Sequence, residues 1–352
     1  MPTLFDPLSV GELTLPNRIV MSPLTRLRAP GVGHVPTALM AEYYRQRASA
    51  GLIVSEATPV MPMGIGYENV PGIWSMEQVE GWKHVTRAVH EAGGRIVMQL
   101  WHVGRISHPD LLDGATPVAP SAIRPAGHVS LLRPKRSYVT PRALERSEIA
   151  DVIAAFRDGA VNAQQAGFDG VELHGANGYL IDQFLQDGSN HRTDDYGGSL
   201  ENRARFLLEV TDAVVSVWGA GRVGMHLAPR GDAHGIGESN PAATFGHVAR
   251  ELGRRKLAFI AAREHQGPNS LGPALREAFG GVYIANEGFT RESAEKALSE
   301  GTCDAVAFGK AFIANPDLPR RFAEHAALNA PDPETFYSGD AKGYTDYPAL
   351  PG

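Results

Sequence analysis

The sequence predicts an α/β protein built as a single (β/α)8 barrel, the TIM-barrel architecture, with a long ordered loop after strand 3. Three observations carry that expectation. Eight short apolar runs recur along the chain, and amphipathic segments of helical period lie between several of them. The turn after the first run, Ser22-Pro23-Leu24-Thr25, also lacks the glycines that an open nucleotide-binding sheet carries there. Runs that are apolar without strict alternation suit strands buried on both faces of a parallel sheet. Eight of them with intervening helices is the number a barrel needs.

In chain order the expected strands are residues 18–22, 51–57, 95–101, 170–174, 222–227, 257–262, 282–285 and 304–308. A helix is expected over 147–166, with Ser147 as its N-cap and Gly167 as its stop. Further helices are expected over 202–218, 241–252 and 290–299, the last with Thr290 and Ser293 where caps belong. The stretch 102–146 is too long for an ordinary connection and holds six prolines. Its interspersed aromatic and basic residues suggest an ordered lid over the barrel mouth. No internal repeat or low-complexity tract divides the chain. The expectation is one domain over 1–352, with a lid at 102–146 and a C-terminal tail at 331–352 over the active site.

Composition removes several classes of function. One cysteine rules out a disulfide framework, a four-cysteine zinc site and a cysteine-ligated iron–sulfur cluster. No metal motif is present, so no metal is expected. A net charge of −6 without basic blocks argues against nucleic acid. No apolar run approaches the roughly 18 residues of a membrane helix. The first residues have acids and prolines where a signal peptide has a basic then apolar stretch. The expectation is a cytoplasmic protein, monomeric or homodimeric, acting on small molecules.

In a barrel, residues at the carboxyl ends of strands face the active site. Those ends carry Thr25, Ala57, Gln99 with Trp101, His174, His226 with Arg230, Asn286, and Gly309 with Lys310. The set has no paired carboxylates at glycosidase spacing and no nucleophile elbow. Its hydrogen-bonding and cationic groups suit an organic, phosphate-bearing cofactor better than hydrolysis. The sharpest motif, from His174 to Leu185, leaves a strand through a Gly-punctuated turn and enters a helix. His174 and Asn177 can converge as two donors on one oxygen, and Tyr179 adds a phenolic proton nearby. A lone histidine there would more often be a core residue; three such groups within six residues point to chemistry. Gly309-Lys310 ends the last strand, where barrels often hold phosphate. Taken alone, Gly-Lys could equally be a surface turn.

Several segments together resemble the old yellow enzyme family of flavin-dependent ene-reductases. They are Pro16 to Arg26, Gln99 to Arg105, His174 to Leu185, Asp194 to Arg203, Phe308 to Leu318 and Gly343 to Pro348, and the match runs from about Leu4 to Leu350. The resemblance is to the branch of N-ethylmaleimide and pentaerythritol tetranitrate reductases. It implies noncovalent FMN at the carboxyl-end mouth of the barrel, with NADPH or NADH as reductant. Pro23, Leu24 and Thr25 would line the ring system, Ala57 and Gln99 would meet its polar edge, and Arg230 would sit near N1 and O2. Asn286, Glu287, Gly288, Phe308, Gly309 and Lys310 would surround the phosphate. His174 and Asn177 would bind the electron-withdrawing group of an electron-poor alkene, and Tyr179 would protonate it. Tyr67, Trp101 and Tyr344 would wall the substrate pocket, although Tyr67 could equally be a core aromatic.

Two departures stand out. Lys310 replaces the family's usual arginine and loses its bidentate fork. Glu287 stands where glycine is common, and an inward carboxylate there would weaken FMN binding. The implied activity is NAD(P)H-driven, ping-pong reduction of activated C=C bonds in α,β-unsaturated aldehydes, ketones, maleimides and nitroalkenes. A flavin-free phosphate-binding lyase or isomerase, and a barrel that stores flavin without turnover, are the alternatives. Cys303 has a packing role in either case.

Overall fold

The chain folds into the closed barrel that the apolar runs predict, in a computed structural model that describes residues 1–231 and 233–351; Asp232 and Gly352 lie outside the described residues. The barrel strands are β1 (Ile19–Met21), β2 (Leu52–Val54), β3 (Ile96–Trp101), β4 (Gly170–Gly175), β5 (Val223–Leu227), β6 (Phe259–Arg263), β7 (Val282–Asn286) and β8 (Ala305–Phe308). Each pairs in parallel with the next, and β8 returns to β1 with Val306 opposite Ile19 and Phe308 opposite Met21. Every one of the eight expected runs contains a strand.

The outer helices are α1 (Ala38–Gln46), α2 (Met76–Glu91), α3 (Arg146–Gln165), α4 (Leu200–Trp218), α5 (Pro241–Arg254), α6 (Gly272–Phe279), α7 (Arg291–Ser299) and α8 (Leu318–Ala323). Ser147 does not cap α3. The helix begins earlier because the Glu148 carboxylate reaches back to accept the Glu145 N–H at 2.7 Å. Thr290 caps α7 as its sequence suggested, accepting the Ser293 N–H at 3.2 Å. Stretch 102–146 is mostly irregular, yet it is packed: Val129, Leu132 and Tyr138 are buried against Trp101 and Tyr179.

The amino-terminal hairpin, Leu8–Val10 paired with Leu13–Leu15, seals the lower end of the barrel. Val10, Leu13 and Leu15 join one buried cluster with the inward residues Val20, Leu52, Val97, Phe259 and Ile284. Gly11 turns the hairpin with φ +56, and a Cβ there would lie 2.2 Å from the Gly221 carbonyl oxygen. Only glycine fits both demands.

At the upper end, buried arginines tie separate stretches of chain together. Arg26 donates to the Phe336 and Gly343 carbonyls at 3.0 and 2.8 Å, and Arg28 donates to Thr335 and Phe336 at 2.9 Å. Arg47, at the end of α1, donates to Tyr43, Phe312 and Ile313 carbonyls at 2.8–2.9 Å, and its guanidinium lies 3.7 Å from the Tyr43 ring centroid. All three arginines are fully buried, so each donor replaces water that the carbonyls have lost. Arg47→Met would leave several buried carbonyls unsatisfied and should lower the unfolding free energy by about 3 kcal/mol, read as an earlier midpoint in urea unfolding.

Candidate active site

The carboxyl ends of the strands open into a cavity of about 870 Å³. Strand register decides which side chains reach it. Gln99 pairs with Glu172, His174 with His226, and Arg263 with Asn286, and all of these but Glu172 line the cavity. Pro23, Leu24, Thr25 and Ala57 form one side, and Tyr67, Trp101 and Tyr179 another. Asn286, Glu287, Gly288, Phe308, Gly309 and Lys310 form the far end, after β7 and β8. The Asn286 amide donates to Ser22 Oγ at 2.6 Å and ties that end to the loop after β1.

The turn leaving β4 is held on several sides. Asp182 accepts the Gly178 N–H at 2.9 Å and the Gln186 amide at 2.7 Å, and burial pushes its carboxyl up to about 7. The Gln183 amide donates to the Val103 and Gly178 carbonyls. Asn177 takes a left-handed backbone, φ 58, which asparagine tolerates better than most residues, and its carbonyl accepts from His234 Nδ1 at 2.7 Å. This frame fixes His174, Asn177 and Tyr179 on the same wall. Ala176 N–H donates to His174 Nδ1 at 3.4 Å, which leaves the ring hydrogen on Nε2. Burial holds the His174 pKa well below the usual imidazole value, with His226 beside it adding to the effect. His174 is therefore a neutral donor at physiological pH. Tyr179 shares a 2.8 Å hydrogen bond with Tyr67. Burial, with Tyr67 adjacent, drives its phenol well above the usual value of 10, so its proton is retained.

At the far end Glu287 and Gly288 both have positive φ, 92 and 78. The Glu287 carboxylate does not stand alone: Arg263 Nη2 donates to it at 3.1 Å, and His265 Nε2 lies 3.6 Å away. The repulsion that an inward carboxylate would exert on phosphate is thus offset by its own cation.

Two expected residues lie elsewhere. Arg230 does not line the cavity; it pairs with Glu264 and the His265 carbonyl. Glu264 in turn accepts the Leu271 and Gly272 N–H groups at the start of α6, so this pair anchors a helix. Tyr344 is fully buried outside the cavity, stacked on Tyr43 at 4.0 Å between ring centroids. The tail instead contributes Phe336 and Tyr337 to the cavity wall. His226, Arg263 and His265 also line it, as do Ser130 and Leu131 from the 102–146 stretch. His226, named among the strand ends, is the next-to-last residue of β5, one strand over from His174, and the two rings stack with centroids 5.7 Å apart. Arg230 is three residues beyond the end of β5, where strand alternation no longer dictates direction.

The wall fits a flavin mononucleotide. Among the described residues, both His226 ring nitrogens and Trp101 Nε1 are buried without a hydrogen-bond partner, and His226 Nδ1 stands 3.5 Å from Glu172 Oε1. Orphaned polar atoms at a cavity wall mark where a ligand's own polar atoms belong. The apolar shelf of Pro23 and Leu24 suits a flat ring, and exposed Lys310 with the glycine-bearing turns suits a phosphate. His226→Ala should raise the FMN dissociation constant about tenfold, the loss of roughly one hydrogen bond, measured by quenching of flavin fluorescence. Arg230→Gln should leave that constant unchanged and lower the thermal midpoint, because it unpairs buried Glu264.

Known proteins share the sequence and the fold of this chain. The sequence model of the NADH:flavin oxidoreductase / NADH oxidase family matches residues 3–329. A probable flavin mononucleotide-dependent alkene reductase of Leishmania infantum is 43% identical over 99% of this chain and 97% of its own length. Morphinone reductase, solved with tetrahydroNAD, superposes with a TM-score of 0.96 at 50% identity, covering 100% of this chain and 98% of its own. The old yellow enzyme homologue of Zymomonas mobilis gives 0.96 at 46% identity, covering 99% and 100%. With its closed barrel, its one-ended cavity and a match over nearly the whole length, the chain belongs to the NADH:flavin oxidoreductase / NADH oxidase family.

Proposed function

We propose that this protein is an FMN-dependent ene-reductase, oxidising NADH or NADPH and reducing the activated C=C bond of small electron-poor alkenes. The observation that carries the reading is the single wall on which neutral His174, Asn177 and protonated Tyr179 stand together. Bound FMN would supply the two-electron hydride carrier between nicotinamide and alkene. The chain's residues do the rest. His174 Nε2–H and the Asn177 amide donate to the substrate's carbonyl or nitro oxygen and stabilise the charge that develops there. Neither group has to lose a proton to do so. Tyr179 holds its hydrogen for the α-carbon, and Tyr67 accepts or donates at its oxygen to orient it. Trp101, Tyr67 and Tyr337 exclude water and favour flat, conjugated ligands.

Substrates of this kind include α,β-unsaturated aldehydes and ketones, maleimides and nitroalkenes. The 102–146 stretch and the tail act as covers over the mouth, through Ser130, Leu131, Phe336 and Tyr337. No helix of the described chain is long and apolar enough to cross a membrane; a cytoplasmic location, where reduced nicotinamide is regenerated, suits the chemistry.

The purified protein should be yellow, or become so with FMN, and anaerobic NADH or NADPH should bleach it. A protein that stays colourless with FMN would refute the reading. Tyr179→Phe should slow alkene turnover about 100-fold, the lower end of what a general acid contributes, while bleaching by the nicotinamide proceeds. Because burial holds His174 far below 6.5, affinity for a neutral enone should stay flat between about pH 6 and 8; a break near the ordinary imidazole pKa would show that His174 titrates.

A further inference from the structure

We propose that Arg263 is a positioning residue that fixes the orientation of the Asn177 amide, a role that rests on the ene-reductase reading above. Arg263 ends β6 in register with Asn286 and lines the cavity. Its Nη1 donates to Asn177 Oδ1 at 3.1 Å and its Nη2 donates to Glu287 Oε1 at 3.1 Å. One guanidinium therefore joins the turn after β4 to the turn after β7, over the end of β5.

Both residues that it joins have left-handed backbones, Asn177 at φ 58 and Glu287 at φ 92. Such a conformation is a real cost for glutamate and persists where its surroundings enforce it. Here it delivers the carboxylate to Arg263. Glu287 stands on one arm of the guanidinium fork and so aims the other arm at Asn177.

The chemistry of the contact fixes what the substrate meets. An asparagine amide can turn over and present either its oxygen or its NH2 group. A guanidinium has donors only, so the amide oxygen must face Arg263. The NH2 group is then left for the cavity, where it can donate alongside His174 to a substrate oxygen. In the reversed orientation the amide oxygen would meet the substrate oxygen, and two acceptors would repel. Arg263 thus keeps Asn177 a donor without itself touching the reacting atoms. Arg263 is half-exposed, with 45% of its side-chain surface accessible, so the arrangement is not demanded by core packing.

The test is a double-mutant cycle on the FMN-loaded protein. Wild type, Arg263→Ala, Asn177→Ala and the double variant would be titrated with para-hydroxybenzaldehyde, read by the change in flavin absorption. Arg263→Met serves if Arg263→Ala fails to fold. Arg263→Ala should keep its FMN and weaken the ligand about fivefold, the worth of roughly one hydrogen bond. In the Asn177→Ala background it should change nothing further. Arg263→Lys, which keeps a donor but not the fork, should recover part of the loss. An equal loss in both backgrounds, no loss at all, or release of FMN by Arg263→Ala would each overturn the role. A wild-type protein that takes up no FMN would instead overturn the ene-reductase reading on which the role rests.

Discussion

Closure of the sheet is the constraint on which the rest depends. Because β8 pairs back onto β1 in parallel, all eight strands point the same way and their carboxyl ends share one rim. Residues distant in sequence then become neighbours by register alone. His174 stands opposite His226, and Arg263 opposite Asn286. Gln99, His174, His226, Arg263 and Asn286 come from the strands themselves, while Tyr67, Ser130 and Leu131 are brought to the rim by longer connections. The buried arginines then fasten the tail to the loop after β1, which brings Phe336 and Tyr337 to the same rim.

The electrostatics of the wall follow from burial more than from charge. His174, Tyr179 and Tyr67 are all held in their neutral forms by loss of water. Neutral donors can stabilise charge that appears only during reaction, and they hold no counter-ion that must first be displaced. The formal charges of the cavity, Arg263 with Glu287 and the exposed Lys310, lie toward its outer and phosphate-suited end. A protein of net charge −6 can thus present local cations to an anionic tail while its surface repels polyanions.

The sequence was most legible where local pattern and global position coincide. Doubly buried strands announce themselves as apolar runs, and the turn from His174 to Tyr179 concentrates three reactive groups next to one. The α2 helix also has a start legible in its sequence, the Ser75–Gln78 capping box. Legibility failed where a side chain's direction depends on partners far along the chain. Arg230 lies beyond the strand, and buried Glu264 draws it outward. Tyr344 and Tyr337 are seven residues apart in one tail, and it is the stacking of Tyr43 with the clamp of Arg26 and Arg28 that takes one inward and leaves the other at the rim. Nothing local distinguishes them. Glu287 could be read as a flaw until the position of Arg263 was known.

The hairpin that seals the lower end has a consequence for traffic. With Val10, Leu13 and Leu15 packed into the base of the barrel, the cavity has a floor, and whatever enters must leave by the way it came. On the ene-reductase reading, nicotinamide and alkene would both have to reach a flavin held there through that one mouth, and they could not pass each other. Each would then obstruct the other, so that an excess of either would slow the cycle. A structural plug far from the chemistry would in this way make turnover sensitive to the ratio of reductant to acceptor, and not only to the amount of each.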